Sequence, residues 1–276
     1  VVEQDGGSTA QQSAGQSADI DLSRPSIARV YDAVLGGKDN YEVDRVVADQ
    51  VRLDMPHISD VGWFNRAVLG RGVRYLAAET GINQFLDLGA GLPTLENTHQ
   101  VAQRHDPEAR VVYVDIDPIV LAHGRALLEE NEHTAVVTAD LREPEKVLAN
   151  PNVRRLIDFD KPVGVLLIGI LHHLHDDEDP KGIVDAYMDA VPAGSHLMIT
   201  AFCDTGPEAR AVEETMLEFL GTGRFRTMDE ITAYFDGFEL LDPGVVALPM
   251  WRPEGPVATP LSIAQRLMVG GVARKN

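Results

Sequence analysis

From Pro25 onward the chain moves between two hydrophobic rhythms. Apolar residues three and four apart mark helices, and short unbroken apolar runs mark strands covered on both faces. Ile27, Val30, Tyr31 and Val34 share one helix face, and Gly36–Gly37 close that helix, since glycine accepts the left-handed cap conformation. Lys38, Asp39 and Asn40 follow as a polar turn. Val43, Val46, Val47 and Val51 predict a second helix from Asn40 to before Pro56, and Trp63, Phe64, Ala67 and Val68 a third from near Asp60 to Gly81. The strand rhythm then takes over. Phe85, Leu86 and Leu88 form one strand around Asp87, and Val111–Val114 a second that ends on Asp115. Ala135–Thr138 is a third, and Pro162–Leu171 is apolar enough for a central strand. Ser195–Phe202 is a fifth, and Phe238–Val246 and Gln265–Val272 read as a closing antiparallel pair. Helical patterns fill the gaps, at Pro118–Leu128, Pro180–Val191, Glu208–Leu220 and Met228–Phe235. Strands alternating with helices predict an α/β fold with a mostly parallel sheet. Residues 1 to about 22 lack any such rhythm and read as a disordered tail. We therefore expect one domain over 23–276, with a helical segment at 23–80 and a Rossmann-like core at 81–276.

The chemistry concentrates between Phe85 and Asp117, in FLDLGAG and VVYVDID. Gly89, Ala90 and Gly91 come where a strand turns into a helix, and glycine there lets a ligand approach the backbone. Thr94 is placed to cap that helix, whose face is Leu95, Thr98, Val101 and Ala102. Asp115 lies about where an acid reaches ribose hydroxyls, roughly 20–25 residues past the glycines. The third glycine of a nicotinamide fingerprint is missing, because Thr94 occupies its place.

Composition narrows the partners. The 276 residues, 44% hydrophobic, are ample for one α/β domain. A formal net charge of −19 disfavours nucleic acid and anionic membranes, and leaves room for a small-molecule substrate. Cys203 is the only cysteine, so no intrachain disulfide forms. No apolar run reaches the roughly 20 residues that span a bilayer, and no signal-peptide core is visible. These features point to a cytoplasmic protein. They carry no information on oligomeric state.

The stretch with Asp87 two residues before Gly89 resembles motif I of class I S-adenosylmethionine-dependent methyltransferases. A wider likeness covers nearly the whole chain after the tail. RPSIARVYDAVLGGKDNYEVDR, WFNRAVL, QFLDLGAGLPT, VVYVDIDPIVLAHGRALL, LLIGILHHLHD and FDGFELLDPGVVALPMWRP are similar to an actinobacterial methyltransferase family once classed as a domain of unknown function. That resemblance implies a seven-stranded class I methyltransferase fold with an antiparallel C-terminal strand, extra N-terminal helices, and S-adenosylmethionine as cofactor. It implies no substrate.

Candidate site residues follow. Asp87, Gly89, Ala90 and Gly91 would order the cofactor loop, Asp115 would accept from both ribose hydroxyls, and Ile116 would pack on the adenine. Asp140 and Leu141 match the family position that reads the adenine amino group. His172 and His173 leave the central strand near the expected methyl position, and either suits a general base for an oxygen or nitrogen nucleophile. As neighbours on an extended segment their side chains would point apart, making them poor joint metal ligands. Tyr31, Lys38, Asn40 and Arg66 are expected in a helical lid over the cofactor, with Lys38 or Arg66 on the methionine carboxylate and Tyr31 near the sulfonium. Two other readings share these residues: a protein that binds S-adenosylmethionine as a sensor or partner module, and an NAD-dependent dehydrogenase.

Overall fold

The computed structural model describes residues 21–93, 96–127 and 131–276. Residues 1–20 of the expected tail, the expected cap Thr94, Leu95 and Leu128 lie outside the described residues.

Among the described residues three helices precede the sheet: α1 (Ile27–Leu35), α2 (Glu42–Asp54) and α3 (Ile58–Glu79). The α/β alternation then runs β1 (Gln84–Leu88), α4 (Thr98–Gln103), β2 (Arg110–Asp115), α5 (Pro118–Leu127), β3 (Thr134–Thr138), α6 (Pro144–Ala149), α7 (Pro151–Leu156) and β4 (Gly164–Ile168). It continues with α8 (Pro180–Asp189), β5 (His196–Phe202), α9 (Pro207–Leu220), α10 (Met228–Ala233), β6 (Glu239–Leu240), β7 (Val246–Ala247), α11 (Ile263–Arg266) and β8 (Met268–Arg274).

The strands lie in the order β3-β2-β1-β4-β5-β8-β6, with β7 also on β8. β1 to β5 are parallel, and β8 runs antiparallel to β5. The sheet is covered on both faces. Alternate strand residues such as Phe85, Val111, Leu166 and Met198 pack with Val68, Leu69, Val73 and Leu76 of α3. Their neighbours Leu86, Val112, Val165 and Leu197 pack with Leu156, Val184, Tyr187 and Ile231 on the other side. α3 sits close on its face: a Cβ at Gly72 would stand 2.3 Å from the Met198 sulfur. Strand order reverses at β1, whose neighbours are β2 and β4. In open α/β sheets the crevice at such a reversal, beyond the carboxyl ends of the strands, is where ligands bind.

Several boundaries differ from the sequence expectation. Among the described residues eight strands form instead of seven, because Phe238–Val246 does not make one strand. It makes the two short strands β6 and β7, both paired to β8. Between them Pro243 has no N–H to offer a ladder, and Gly244 N–H turns back to the Leu241 carbonyl at 2.8 Å. Gln265 belongs to α11 rather than to the last strand, with Ser262 as its cap. The helix after the glycine turn starts late, at Thr98, where Asn97 and Gln100 form a capping box.

The polar turn between α1 and α2 is built around Asp32. Its carboxylate accepts from Asp39 N–H at 2.9 Å and the Asn40 amide at 2.7 Å. A Cβ on Gly37 would overlap the same carboxylate, at 1.9 Å. α1 is tied down further by Arg52, which donates to the Ala33 carbonyl at 2.6 Å, and Ser59, which donates to that of Val34 at 2.7 Å.

Candidate active site

A single cavity opens at the carboxyl ends of β1, β2 and β4, and it encloses about 1260 Å³ with its mouth included. One end is polar and is built from the glycine loop, Asp87, Asp115, Asp117 and Arg66. The other is apolar, between Val30 and Val34 of α1, Val51 of α2, Val212, Met216 and Leu220 of α9, and Phe202 and Met268.

The glycine loop follows from local sterics. Gly89 and Gly91 have φ of +73° and +66°, a region that disfavours side chains. A Cβ on Gly89 would lie 2.4 Å from Ile170, whereas Gly91 faces open space. The Gly89 and Ala90 amides both donate to the Val114 carbonyl, at 2.8 and 3.2 Å, which folds the loop over the end of β2. Asp115 completes it: one carboxylate oxygen accepts from Gly91 N–H at 2.8 Å, the other from Asp117 N–H at 2.9 Å. Burial pushes the Asp115 carboxyl above its usual range, against the pull of these amides.

Asp87 is 4% exposed and accepts from the Thr98 hydroxyl at 2.7 Å. Burial raises it to about 6, opposed by the Thr98 bond and the Arg66 charge and helped by Asp115. Arg66 also donates to the Glu96 carbonyl at 3.3 Å. Tyr31 faces the cavity from α1, its hydroxyl donating to the Gly62 carbonyl at 3.2 Å and accepting from the Asn65 amide at 3.3 Å. Asn65 in turn accepts from Thr200 of β5 at 2.7 Å. Burial keeps Tyr31 a neutral phenol, its pKa raised.

The histidines occupy a short 3-10 turn, Leu171–His173, not an extended segment. Their rings therefore lie side by side, 4.3 Å apart, which corrects the expectation that they point apart. Among the described residues no group of three or more His, Cys, Asp or Glu gathers as metal ligands would. Both rings are buried and line the cavity. His173 Nδ1 shares a 2.9 Å hydrogen bond with the Thr222 hydroxyl. His172 Nδ1 is buried without a partner among the described residues. Burial holds His172 well below its ordinary pKa, helped by the neighbouring His173 and Arg226 charges, and brings His173 to about 4.

These shifts have a stability consequence with a definite sign. An unfolded histidine takes a proton near pH 6.5, and the folded protein refuses it. The stability His173 contributes is thus present above pH 6.5 and is lost as pH falls toward about 4. Asp87 works the other way, since its buried charge penalises the fold above about pH 6 and is relieved below it. His173→Gln is expected to soften the acid limb between pH 6.5 and 4 by on the order of 1 kcal/mol. Urea unfolding at pH 7 and pH 5 checks it: an unchanged difference between the two pH values rejects the assignment.

Of the sequence candidates, Tyr31, Arg66, Asp87, Gly89, Ala90, Gly91, Asp115, His172 and His173 share the cavity lining. Five do not. Lys38 is exposed, and the Asn40 amide serves Asp32 and the Gly37 carbonyl. Ile116 is exposed between two lining aspartates. Asp140 is held by Arg142 at 2.7–3.0 Å, and the Leu141 carbonyl accepts from Tyr187 at 2.9 Å. Sequence reading missed Asn65, Asp117, Phe202 and the α9 residues. Asp117 stood in the VVYVDID run, but an isolated Asn or Phe carries no signal.

A sheet of this order, with a glycine loop and an acid closing the next strand, defines a class I methyltransferase. The chain belongs to the S-adenosyl methyltransferase family, whose profile matches residues 13–276. It is similar to a candidate methyltransferase from Thermobifida fusca, with 52% identity, 93% of this chain and 97% of that one covered, and a TM-score of 0.90. It is also similar to a protein of the DUF574 family from Streptomyces avermitilis, with 37% identity, coverages of 94% and 100%, and a TM-score of 0.90. The N-methyltransferase NodS of Bradyrhizobium japonicum, solved with S-adenosylhomocysteine, shares the fold at 13% identity, coverages of 90% and 98%, and a TM-score of 0.51. No curated protein matches the chain. The cofactor of the family is S-adenosylmethionine, which sets aside the nicotinamide reading. The residues here fit that group: Gly91 leaves the backbone open to a ligand, Asp87 and Asp115 are carboxyls on the lining, and Arg66 supplies a cation. Among the described residues no helix is long and apolar enough to cross a membrane.

Proposed function

We propose that the chain transfers a methyl group from S-adenosylmethionine to an oxygen or nitrogen of a small molecule held in the apolar end of the cavity. The continuity of the polar and apolar ends carries this reading. A sensor that only bound the cofactor would need no second compartment beside it. When bound, S-adenosylmethionine supplies an activated methyl on a sulfonium that departs as a thioether.

The protein's part is then to hold, orient and exclude water. Asp115 accepts from the ribose hydroxyls, Arg66 meets the methionine carboxylate, and Lys38 stays outside. Asp87 gives a buried negative charge near the sulfonium. Ile116 and Asp140 flank the adenine at the mouth, with Leu141 beside them. His172 or His173, neutral at pH 7, takes the proton that the acceptor's heteroatom loses and passes it to solvent. α1 serves as a fixed wall that puts Tyr31 against the site, anchored by the bonds from Arg52 and Ser59.

Calorimetry with S-adenosylmethionine and S-adenosylhomocysteine tests the cofactor half of this proposal, and release of S-adenosylhomocysteine with a bound acceptor tests the rest. A chain that binds neither molecule rejects it. The wall has its own test. Tyr31→Ala is expected to weaken S-adenosylhomocysteine binding several-fold. Asn40→Ala is expected to leave affinity unchanged and to lower stability by about 1.5–3 kcal/mol, the worth of a hydrogen bond to a charged acceptor. Equal effects of the two on affinity would reject the division of labour.

A pH dependence follows from Asp87. Its carboxyl gains a proton as pH falls through about 6, and a neutral acid no longer attracts a cation. The affinity for the S-adenosylmethionine sulfonium is expected to drop between pH 7 and 5 by roughly 3- to 10-fold more than that for the uncharged thioether. Parallel pH profiles for the two ligands would place Asp87 away from the sulfur.

A further inference from the structure

The apolar half of the cavity contains a ring system that methyl transfer alone does not require. Phe202, at the end of β5, lines the cavity. Phe225 stacks on one of its faces, with centroids 4.5 Å apart and planes within 4°. His172 meets Phe202 at 4.7 Å with a 73° tilt, and lies 6.3 Å from Phe225. Those three separations make close to a right angle at Phe202. His172 therefore stands at the rim of that ring and not over the face opposite Phe225. Phe225 is fully buried behind the pair and does not line the cavity. Among the described residues no ring covers the other face of Phe202, and Phe202 itself lines the cavity.

The second observation is His172, which lines the same cavity and whose buried Nδ1 has no partner among the described residues. A buried polar atom left unmatched costs stability, and native folds rarely keep one without a ligand or a functional use. As the tautomer with its hydrogen on Nε2, this nitrogen is an acceptor. The third is charge. The charged lining groups are Arg66, Asp87, Asp115 and Asp117, all at the cofactor end. Phe202 packs against the apolar cluster that holds Val212, Met216 and Met268, and these line the cavity with it.

We propose that the methyl acceptor is an uncharged planar aromatic molecule, its ring stacked on the face of Phe202 opposite Phe225 and its hydroxyl or amine donating to His172 Nδ1. This rests on the methyltransferase reading above and names its substrate class. A flat ring gains the offset stacking that a saturated ring of equal size cannot. A carboxylate or ammonium acceptor would be stripped of water among Met and Leu side chains without a counter-charge.

The test uses the full chain saturated with S-adenosylhomocysteine, and three probes of one skeleton: 2-naphthol, decahydro-2-naphthol and 2-naphthoate. Calorimetry is expected to give 2-naphthol the tightest binding, ahead of the saturated alcohol by roughly 3- to 10-fold and of the carboxylate by at least about tenfold. Phe202→Leu should erase the preference for the aromatic alcohol while S-adenosylhomocysteine still binds. Should that variant fail to fold, the wild-type comparison of the three probes decides alone. Failure of 2-naphthol to bind the loaded protein, or an equal or tighter fit of either other probe, overturns the substrate class and leaves the cofactor reading standing. Failure of S-adenosylhomocysteine to bind the wild-type chain overturns the methyltransferase reading itself.

Discussion

Asp44→Ala is expected to cost about 3–5 kcal/mol of folding stability, the penalty for breaking a buried ion pair from one side. Asp44 is 0% exposed and its partner Arg29 is 2% exposed. The carboxylate does more than pair. It accepts from Arg29 Nε at 3.0–3.1 Å, from Ser26 N–H at 3.0 Å and from Tyr41 N–H at 2.9 Å. Two of those donors sit where α1 and α2 begin, so one side chain fixes both helix starts. Arg29 also donates to the carbonyls of Asp21 and Arg24. Removing Asp44 would leave a guanidinium buried without its anion and three donors unmatched. For a chain of this size each kcal/mol is about 2–4 °C of thermal midpoint, so a fall of roughly 10 °C is expected. The double substitution Arg29→Met/Asp44→Asn should recover much of the loss, because it removes both charges, keeps the volume and leaves an amide oxygen to accept from Ser26 or Tyr41 N–H. A single variant that melts like the wild type would show that Arg29 reaches water, and that the first two helices are held by their apolar faces alone.

This pair marks where sequence reading stops. Strand rhythm and glycine punctuation were legible because they depend on near neighbours. Phe85–Leu88, Gly89, Gly91 and the acid closing β2 stand where their spacing put them. Contacts between residues that no period relates were not legible. Arg29 and Asp44 are two charges among many in a surface-like pattern. Asn65 links Thr200 to Tyr31 across 135 residues of chain in one step and 34 in the other. The LGGKDN turn shows a related difficulty. Its polar residues looked like chemistry, yet most of their hydrogen-bonding capacity goes to Asp32 and to the turn itself. A polar cluster beside two glycines has two explanations, and only the direction of each side chain separates them.

The cavity walls were hidden for a different reason. Val212, Met216 and Leu220 keep the helical spacing expected of any packed helix. Nothing in that rhythm tells a residue packed against core from one facing an empty volume. The histidines were found by type but misplaced in geometry, because a 3-10 turn of three residues leaves no period to read.

Asp115→Ala is expected to weaken S-adenosylhomocysteine binding by roughly 10- to 150-fold, the equivalent of about 1.5–3 kcal/mol for hydrogen bonds to a charged acceptor. Each oxygen of Asp115 already accepts one backbone N–H, from Gly91 and from Asp117. A carboxylate has about four acceptor sites, so one remains on each oxygen for a ribose hydroxyl. The ligand-free protein, by contrast, gains little from this charge. Burial raises the Asp115 carboxyl despite the Asp117, Gly91 and Ile116 amides, and the Asp117 charge adds repulsion. The group is thus held in a state that folding disfavours. Its removal should leave the thermal midpoint of the free protein close to that of the wild type, while the stabilisation by saturating ligand shrinks by RT ln of the lost affinity. The two readings of Asp115 then separate in one pair of melts. A site residue loses the ligand-induced shift and keeps the baseline. A residue that only shapes the loop loses the baseline, with its ligand shift reduced in step. Affinity unchanged by the substitution would put the ribose on another acceptor, and Asp117, on the same rim, would be the next to replace.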